Sequence, residues 1–389
     1  MNTRELDSTY VASTYARFPL EIVSGKGACV TDAEGKDYID LGTGIAVNTF
    51  GVSDPEWVAA VTAQLGKVQH TSNLFYSAPC AELARELCTR TGMRRVFFSN
   101  SGAEANECAI KVARRYAAAH HGEDTYTILT LKNSFHGRTL TTLAATGQDV
   151  FHADFTPLTP GFVYAEANNL ADVERLMGEN KIAAFLIEIV QGEGGVTALT
   201  PEFVASLAKL AKEKDILLMC DEVQCGNGRS GSLYAYMQYG ITPDVVSTAK
   251  GLGGGLPLGA TLMGERVADV LTPGSHGSTF GGNPVACAGA LNILSRIDDA
   301  LLASVQAKSK KIFAAFTGAK GVKSVSGLGL MIGIETVGDA GEILAEARAR
   351  GVLAIKAKNK VRLLPPLNIT EEELDTAISV LLAVMAEKA

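Results

Sequence analysis

Short, continuously apolar segments alternate with longer amphipathic segments through the middle of the chain. The apolar segments have the length of strands and read VFFSN from Val96, YTILTL from Tyr126, AAFLIEIV from Ala183, ILLMCDEV from Ile216 and DVVSTA from Asp244. Apolar strands that are separated by helices are typical of a parallel sheet covered on both faces. The pattern therefore predicts a large α/β domain with a mostly parallel sheet.

The two ends of the chain have a different pattern. Short β-like pieces surround an Asp-Ala-Glu-Gly turn between residues 21 and 41, which predicts an antiparallel hairpin. After Asn283 the pattern indicates three helices, a strand at VRLLPP and a last helix, for which Thr370 and Glu373 form a capping box. We predict the following division: residues 1–55 as an N-terminal segment that contributes to a small domain, residues 56–284 as a large cofactor-binding domain, and residues 285–389 as the C-terminal small domain.

Composition narrows the class of protein. The chain has 389 residues, 47% of them apolar and 20% charged, as a compact enzyme requires. The net charge is −7 and basic residues are not clustered, so we expect neither nucleic acid nor a membrane surface as a partner. The seven cysteines show no zinc-ligand spacing, and the N-terminus has no secretory signal. We expect a cytoplasmic protein with reduced thiols, small-molecule substrates and no metal site.

A candidate anion site follows the first apolar strand. Ser101, Gly102 and Ala103 lead from that strand into a predicted helix. Small residues at a helix N-terminus leave backbone N–H groups free for a phosphate, and the helix dipole favours its negative charge. The same residues are also consistent with an ordinary strand-to-helix turn that is capped by Ser101.

A second glycine-rich loop, Gly226 to Gly231, matches the G-x-G-x-x-G pattern of dinucleotide-binding domains. We reject this interpretation because the nearest downstream acid, Asp244, opens the next strand instead of ending it, and no clear helix begins within the glycines. The GLGGGLPLG segment lacks the Lys-Ser/Thr pair of a P-loop, so the sequence does not support nucleotide hydrolysis either.

The sharpest chemical signal lies at the ends of the last two apolar strands. One ends in Asp221 and the next is followed by Lys250, so both side chains are expected at the carboxyl edge of the sheet. An aspartate at a strand end is often a turn residue. A lysine that directly follows a buried strand is more unusual, because lysine is seldom buried unless it has a functional role. A desolvated amine loses its proton readily, as imine formation requires. A phosphate site, an acid for a pyridinium nitrogen and a Schiff-base lysine are together what pyridoxal 5′-phosphate (PLP) needs.

Seven motifs in one order give the chain a resemblance to a known family. They are NSGAEANE, SFHGRT, QGEGGV, CDEVQCG, STAKGLGGGLPLGA, HGSTFGGNP and RLLPPL, and the similarity covers nearly the whole chain. The chain resembles the fold-type I, class III (omega) PLP-dependent aminotransferases. The resemblance implies a large domain with a mostly parallel mixed sheet covered by helices, and a smaller α+β domain built from both chain ends. It also implies a homodimer with shared active sites.

The resemblance assigns the cofactor contacts to residues of these motifs: Ser101, Gly102, Ala103, Phe135, Asp221, Val223, Gln224, Lys250 and Thr279. Phe135 would stack on the pyridine ring, Asp221 would keep the ring nitrogen protonated, and Gln224 would bond the phenolic oxygen. Lys250 would hold PLP and then move a proton between the substrate carbon and the cofactor carbon. Thr279 would reach the phosphate bound by the neighbouring subunit.

Two arginines determine the substrate that the resemblance implies. Arg138 would bind the α-carboxylate of N2-acetylornithine or the distal carboxylate of 2-oxoglutarate, and Arg362 would bind the α-carboxylate of the keto acid. Because a donor with one carboxylate leaves Arg362 unpaired, Glu193 would be its substitute partner. Ser278 would approach the substrate, and Glu188 would support the pocket. The expected reaction moves the δ-amino group of N2-acetylornithine, or of a succinylated donor, to 2-oxoglutarate.

Some positions depart from the family pattern. Residues 51–55 read GVSDP where many relatives have Gly-His-x-His-Pro, and Asn227 stands where Met is common. Gly44 and Ile45 stand where enzymes that act on unacylated ornithine carry a tyrosine, which favours an acylated donor. The alternatives are ornithine or 4-aminobutyrate aminotransfer, a mutase that acts on glutamate semialdehyde, and a binding protein without activity.

Overall fold

The computed structural model describes all residues from Met1 to Ala389. The helices are α1 (Thr3–Tyr10), α2 (Thr43–Ala46), α3 (Pro55–Leu65), α4 (Ala78–Thr91), α5 (Gly102–His121), α6 (Leu140–Ala145), α7 (Leu170–Glu179), α8 (Pro201–Glu213), α9 (Pro284–Ser295), α10 (Asp299–Phe316), α11 (Ala340–Ala349) and α12 (Glu371–Glu387). The strands are β1 (Ile22–Lys26), β2 (Cys29–Asp32), β3 (Asp37–Asp40), β4 (Arg95–Ser99), β5 (Thr127–Leu131), β6 (Phe162–Ala165), β7 (Ile182–Ile187), β8 (Val190–Gln191), β9 (Thr197–Ala198), β10 (Leu217–Asp221), β11 (Val245–Thr248), β12 (Gly259–Met263), β13 (Val322–Leu328), β14 (Met331–Thr336), β15 (Val352–Leu353), β16 (Ile355–Ala357) and β17 (Lys360–Leu363).

A central sheet of seven strands has the order β4-β12-β11-β10-β7-β5-β6. Strands β11, β10, β7, β5 and β6 are parallel to one another, whereas β12 runs antiparallel to both of its neighbours. The mostly parallel mixed sheet is therefore confirmed, with all five predicted strands in it. The sequence analysis missed β6, which directly follows Gly161, and β12, which begins with Gly259.

The strands of this sheet are continuously apolar because helices cover both faces. In β7, Ala184 and Leu186 pack in a core with residues of α5, while Phe185 and Ile187 pack in another core with residues of α8. Successive side chains of a strand point to opposite faces, so both sets must be apolar when neither face meets water. All six residues of β7 are buried, as are all five of β10.

Two smaller sheets contain the ends of the chain. One has the order β1-β2-β3-β15 and includes the predicted hairpin, and the other has the order β13-β14-β17-β16. Since Ile39 in β3 lies opposite Val352 in β15, the N-terminal segment and the C-terminal part share a sheet. The boundaries near residues 55 and 284 stay predictions.

Helix α12 begins as its sequence predicts. The Thr370 hydroxyl accepts a hydrogen bond from the Glu373 amide at 3.2 Å, and the Glu373 carboxylate accepts one from the Thr370 amide at 2.9 Å. This reciprocal arrangement satisfies N–H groups that a helix start otherwise leaves unpaired. None of the helices combines the length and the unbroken apolar character that a membrane crossing requires.

The register of β10 and β11 places Asp221 and Lys250 at the same edge of the central sheet. Asp221 lies opposite Ser247, and Lys250 follows β11 within two residues of its end. The segment Gly226 to Gly231 forms buried turns in which no helix begins. This geometry agrees with the rejection of a dinucleotide-binding loop.

Candidate active site

A cavity of about 450 Å³ opens at the carboxyl edge of the central sheet. Its walls come from the strand ends, the start of α5 and the loop that follows Lys250. Its lining residues are Val47, Asn100, Ser101, Gly102, Ala103, Asn106, Phe135, His136, Gly137, Arg138, Glu188, Asp221, Val223, Gln224, Ala249, Lys250, Gly255, Leu256, Pro257 and Leu258. Ten of the residues that the sequence analysis selected therefore meet in one place.

The start of α5 forms one wall of this cavity. The Ser101 hydroxyl caps the helix by accepting from the Glu104 amide at 3.2 Å, so this residue is a helix cap as the alternative interpretation had it. The amides of Gly102 and Ala103 have no partner in the protein. A Cβ at Gly102 would lie 2.5 Å from Val223, so only glycine fits there. The turn is therefore capped and two N–H groups remain free, while the predicted phosphate site stays a prediction.

Asp221 is held by three donors. Its Oδ2 atom accepts from the Asn106 amide at 2.7 Å and lies 2.8 Å from His136 Nδ1, while Oδ1 accepts from the Val223 backbone amide at 3.0 Å. The carboxylate is only 4% exposed. A buried carboxylate that is fixed in this way can offer its remaining lone pair to a cationic N–H group in the cavity.

Lys250 is held in a backbone conformation that lysine rarely adopts, with φ at +46°. The Asn227 side chain donates to Thr248 Oγ1 at 3.0 Å and to the Ala249 carbonyl at 3.1 Å, which fixes the two residues before the lysine. Burial lowers the pKa of the Lys250 amine, and the negative charge of Asp221 only partly offsets this effect. Asn227, which departs from the family pattern, thus supports the backbone at the lysine.

The other departure, at Val52 to Asp54, lies behind the loop that follows Lys250. Asp54 pairs with Arg296 at 2.6 Å, and the Trp57 indole donates to the Gly253 carbonyl at 3.2 Å. None of these residues lines the cavity. Their effect on the cavity is therefore indirect, through the backbone of the glycine-rich loop.

Phe135 and Glu188 form a unit in the cavity wall. The Phe135 backbone amide donates to Glu188 Oε2 at 2.9 Å. Burial raises the pKa of the Glu188 carboxyl well above its usual range, and the charge of Asp221 raises it further. Glu188 therefore fixes the backbone that carries the aromatic ring, and its predicted role in supporting the pocket stays a prediction.

Arg362 and Glu193 form an ion pair beside the cavity. Arg362 is 2% exposed, and its guanidinium contacts Glu193 Oε1 at 2.6 Å and Gln224 Oε1 at 3.1 Å. An unpaired charge would be costly at this burial, so the carboxylate compensates for it. The predicted contact between Glu193 and Arg362 is present in the structure.

Arg138 has a contrasting environment. Its guanidinium makes no hydrogen bond or ion pair with the rest of the chain and lies over the Phe151 ring at 4.2 Å from the centroid. The side chain is exposed and lines the cavity. The site thus holds one arginine that is already paired and one that is free to bind an anion.

Ser278 and Thr279 do not line this cavity. The Ser278 hydroxyl accepts from the Gly281 amide at 2.9 Å and from the Asn100 side chain at 3.3 Å, and Thr279 is exposed. Their predicted roles at the substrate and at a neighbouring subunit's phosphate stay predictions.

The sequence analysis missed Asn106 and His136 as partners of Asp221. Asn106 lies one helical turn after Gly102, so it faces the same side of α5, and this spacing is a signal that could have identified it. His136 lies between two selected residues of SFHGRT, but nothing in its neighbours indicates which carboxylate it contacts. Phe151 lies outside every motif.

The groups in the cavity fit PLP. Its phosphate would meet the free amides of Gly102 and Ala103, its ring nitrogen the Asp221 carboxylate, and its aldehyde the Lys250 amine. His136 Nε2 and Asn106 Oδ1 are buried without a partner in the same wall. No group of three His, Cys, Asp or Glu side chains is arranged to hold a metal ion.

Comparisons with known proteins agree with this geometry. The family model "Aminotransferase class-III" matches residues 10–385. An acetylornithine aminotransferase from Haemophilus ducreyi is 48% identical, over 99% of this chain and 98% of its own length.

Solved structures extend the similarity to the fold. An N-acetylornithine aminotransferase from Stenotrophomonas maltophilia superposes with a TM-score of 0.85 at 37% identity, over 98% of each chain. An ornithine aminotransferase from Toxoplasma gondii, with partial occupancy of PLP at its active site, has a TM-score of 0.94 at 30% identity, over 99% of this chain and 94% of that one. The chain belongs to the class III aminotransferases, a family of PLP-dependent enzymes.

Proposed function

We propose that this enzyme transfers the δ-amino group of N2-acetyl-L-ornithine to 2-oxoglutarate. The products are N-acetyl-L-glutamate 5-semialdehyde and L-glutamate, a step of arginine biosynthesis. The relatives at 40–48% identity over nearly the full chain support this choice, since their names give acetylornithine aminotransferase. Succinylated donors also fit the proposal, because the acyl group lies away from the reacting amine.

The observation that carries the proposal is the contrast between the two arginines. Arg138 is free, whereas Arg362 is neutralised by Glu193 at 2.6 Å. A donor with one carboxylate and a distal amine needs only one cationic partner, and Arg138 is available for it. Because Glu193 keeps the second arginine paired, binding such a donor leaves no buried charge without a partner.

The second half of the reaction needs the second arginine. 2-Oxoglutarate has a carboxylate at each end, so Arg138 and Arg362 can each bind one of them in a bidentate way. The keto acid must then replace Glu193, which is more exposed than its partner and can turn towards solvent. One site thereby accepts two substrates of different charge.

When bound, PLP supplies a carbonyl carbon that accepts the amino group and a ring that withdraws electrons from the substrate carbon that loses its proton. The residues of this chain hold the reacting groups around it. Asp221, oriented by Asn106 and His136, would accept the N–H of the ring nitrogen and so keep the ring protonated. The Lys250 amine, when it is not bonded to the cofactor, would take the proton from the δ-carbon of the donor and deliver it to the cofactor carbon. The lowered pKa of this amine favours the neutral form that such a transfer needs.

The nearest alternatives are ornithine and 4-aminobutyrate as donors. The fold does not decide between them, since ornithine aminotransferases superpose as well as the acetylornithine enzymes. The segment at Gly44 and Ile45 offers no polar side chain for a free α-amino group, and Val47 just beyond it lines the cavity. An acylated donor has no charge at this position and fits better than ornithine, while 4-aminobutyrate, which has no α-amino group, is distinguished by the rate comparison below.

We also propose a homodimer with shared sites. Leu74, Phe75 and Tyr76 are consecutive large apolar residues whose exposed fractions are 88%, 69% and 107%, and Phe280 is 61% exposed. Contiguous exposed apolar residues mark interaction sites. Phe280 directly follows Thr279, so covering this surface with a second copy would bring Thr279 towards the neighbouring site.

A cytoplasmic location is part of the proposal. All seven cysteines are free thiols. Reduced cysteines are the rule in the cytosol, where disulfides are rare.

The lowered pKa of Lys250 has a measurable consequence. In the apoprotein, acetylation of Lys250 is expected to rise with pH with a midpoint below 10.5, the ordinary value for a lysine, because burial disfavours the charged amine. Peptide mapping after brief exposure to acetic anhydride at a series of pH values measures it, with the exposed Lys209 as the internal control. A midpoint for Lys250 at or above 10.5 would contradict the assignment.

Substrate choice is tested by steady-state rates with acetylornithine, ornithine and 4-aminobutyrate, each with 2-oxoglutarate. We expect kcat/KM for acetylornithine to be at least about tenfold above either unacylated donor. A tenfold ratio is only about 1.4 kcal/mol, which for ornithine is less than the cost of desolvating its unpaired α-ammonium group, whereas 4-aminobutyrate lacks the acylamino group and the contacts that this group makes. Faster turnover of ornithine or 4-aminobutyrate defeats the proposal, and turnover without added keto acid indicates a mutase.

Shared sites are tested with mixed dimers of Lys250→Ala and Thr279→Ala chains. Thr279→Ala alone is expected to weaken PLP binding about 10- to 100-fold, through loss of a hydrogen bond to a charged phosphate. If each site takes its lysine from one chain and its threonine from the other, the mixed dimer has one native site and recovers about half of the native activity at limiting PLP. No recovery at limiting PLP would show that Thr279 does not complete a neighbouring site.

A further inference from the structure

Arg138 is placed by aromatic rings alone. Its guanidinium lies 4.2 Å from the centroid of the Phe151 ring and 5.6 Å from that of Phe135, and it has no hydrogen bond or ion pair within the chain. A long exposed side chain without such a partner ordinarily samples many rotamers. The two rings therefore provide the contacts that select one of them.

Phe151 belongs to a short 3-10 helix, Asp149–Phe151, that is firmly tied to its surroundings. The next residue, His152, is buried and contacts the Leu143 carbonyl through Nε2 at 3.0 Å. On the other side, the Gln148 amide group donates to the Ser134 carbonyl at 3.0 Å, beyond the end of β5. The Phe151 ring is thus fixed relative to the cavity wall that carries Phe135.

The three side chains form one contiguous cluster. Phe151 meets Phe135 edge to face, with ring centroids 5.6 Å apart and an interplanar angle of 72°. Arg138 lies against both rings, and of the three only Phe135 and Arg138 line the cavity. Phe151 does not line the cavity, so it can affect the cavity only through its contact with the Arg138 guanidinium.

We propose that Phe151 is a positioning residue that holds the Arg138 guanidinium at the cavity for a substrate carboxylate, and so sets the affinity for carboxylate-bearing substrates. Because the ring neutralises no charge, it orients the guanidinium and leaves its N–H donors free for the carboxylate. A carboxylate partner in the same place would compete with the substrate. The inference rests on the proposed function in one respect, namely that Arg138 binds a carboxylate.

The test is the affinity of the PLP-loaded enzyme for glutarate, a dicarboxylate that binds without reacting, measured by isothermal titration calorimetry. Phe151→Leu is expected to weaken glutarate binding about threefold to tenfold, the range of a partly exposed cation–π contact. Phe151→Tyr, which keeps the aromatic face, should stay within about twofold of the native protein. Phe155→Leu is the matched control, since this exposed ring lies in the same loop and has no contact with Arg138.

A double-mutant cycle separates positioning from a general structural effect. In an Arg138→Leu background, adding Phe151→Leu should cause no further loss of glutarate affinity, because the group that the ring positions is absent. Steady-state rates should show KM raised for both substrates with kcat within about twofold, since Phe151 contacts no reacting atom.

Equal losses in both backgrounds, or an unchanged affinity in Phe151→Leu while Arg138→Leu binds weakly, would overturn the inference and leave the proposed function intact. If Arg138→Leu itself binds glutarate as well as the native protein, the carboxylate role of Arg138 and the inference both fall.

Discussion

The register between two neighbouring parallel strands is the constraint on which the active site depends. Because β10 and β11 run in the same direction, their carboxyl ends meet at one edge, and the chain places Asp221 and Lys250 there. Burial then affects the two groups differently. The carboxylate is fixed by hydrogen bonds from Asn106 and Val223, whereas the amine has no such partner and its pKa falls. An acid and a reactive base thus lie in one cavity of about 450 Å³.

Charge compensation governs the substrate side of the cavity. Arg362 is buried and has Glu193 as its counter-ion, while Arg138 is exposed and rests on aromatic rings. The Arg362 guanidinium can bind a substrate carboxylate only if that carboxylate replaces Glu193. The Arg138 guanidinium contacts only aromatic rings, so its N–H groups can bind a carboxylate without displacing another group. In the proposed function, this difference would let one site alternate between a substrate with a single carboxylate and one with two, without leaving a buried charge unpaired at either stage.

Much of this arrangement could be predicted from the sequence because it depends on pattern and order. Apolar strands identified the sheet, and the strand ends identified Asp221 and Lys250, since the edge of a parallel sheet is fixed by chain direction. Residues whose roles depend on packing were missed. His136 reaches Asp221 only through the fold of the SFHGRT segment, and Phe151 reaches Arg138 from a separate loop. Strand β12 was missed because it begins with Gly259 directly after the Gly- and Pro-containing segment that was interpreted as a loop.

The central claim is that the amine of Lys250 carries the cofactor. Borohydride reduction of the PLP-loaded enzyme makes the bond between the cofactor carbon and a lysine nitrogen permanent, and mass spectrometry of the peptides locates it. The account predicts a single reduced adduct, on the peptide that contains Lys250, and none in the Lys250→Ala protein. An adduct on another lysine of the native enzyme, or no adduct at all, would contradict it.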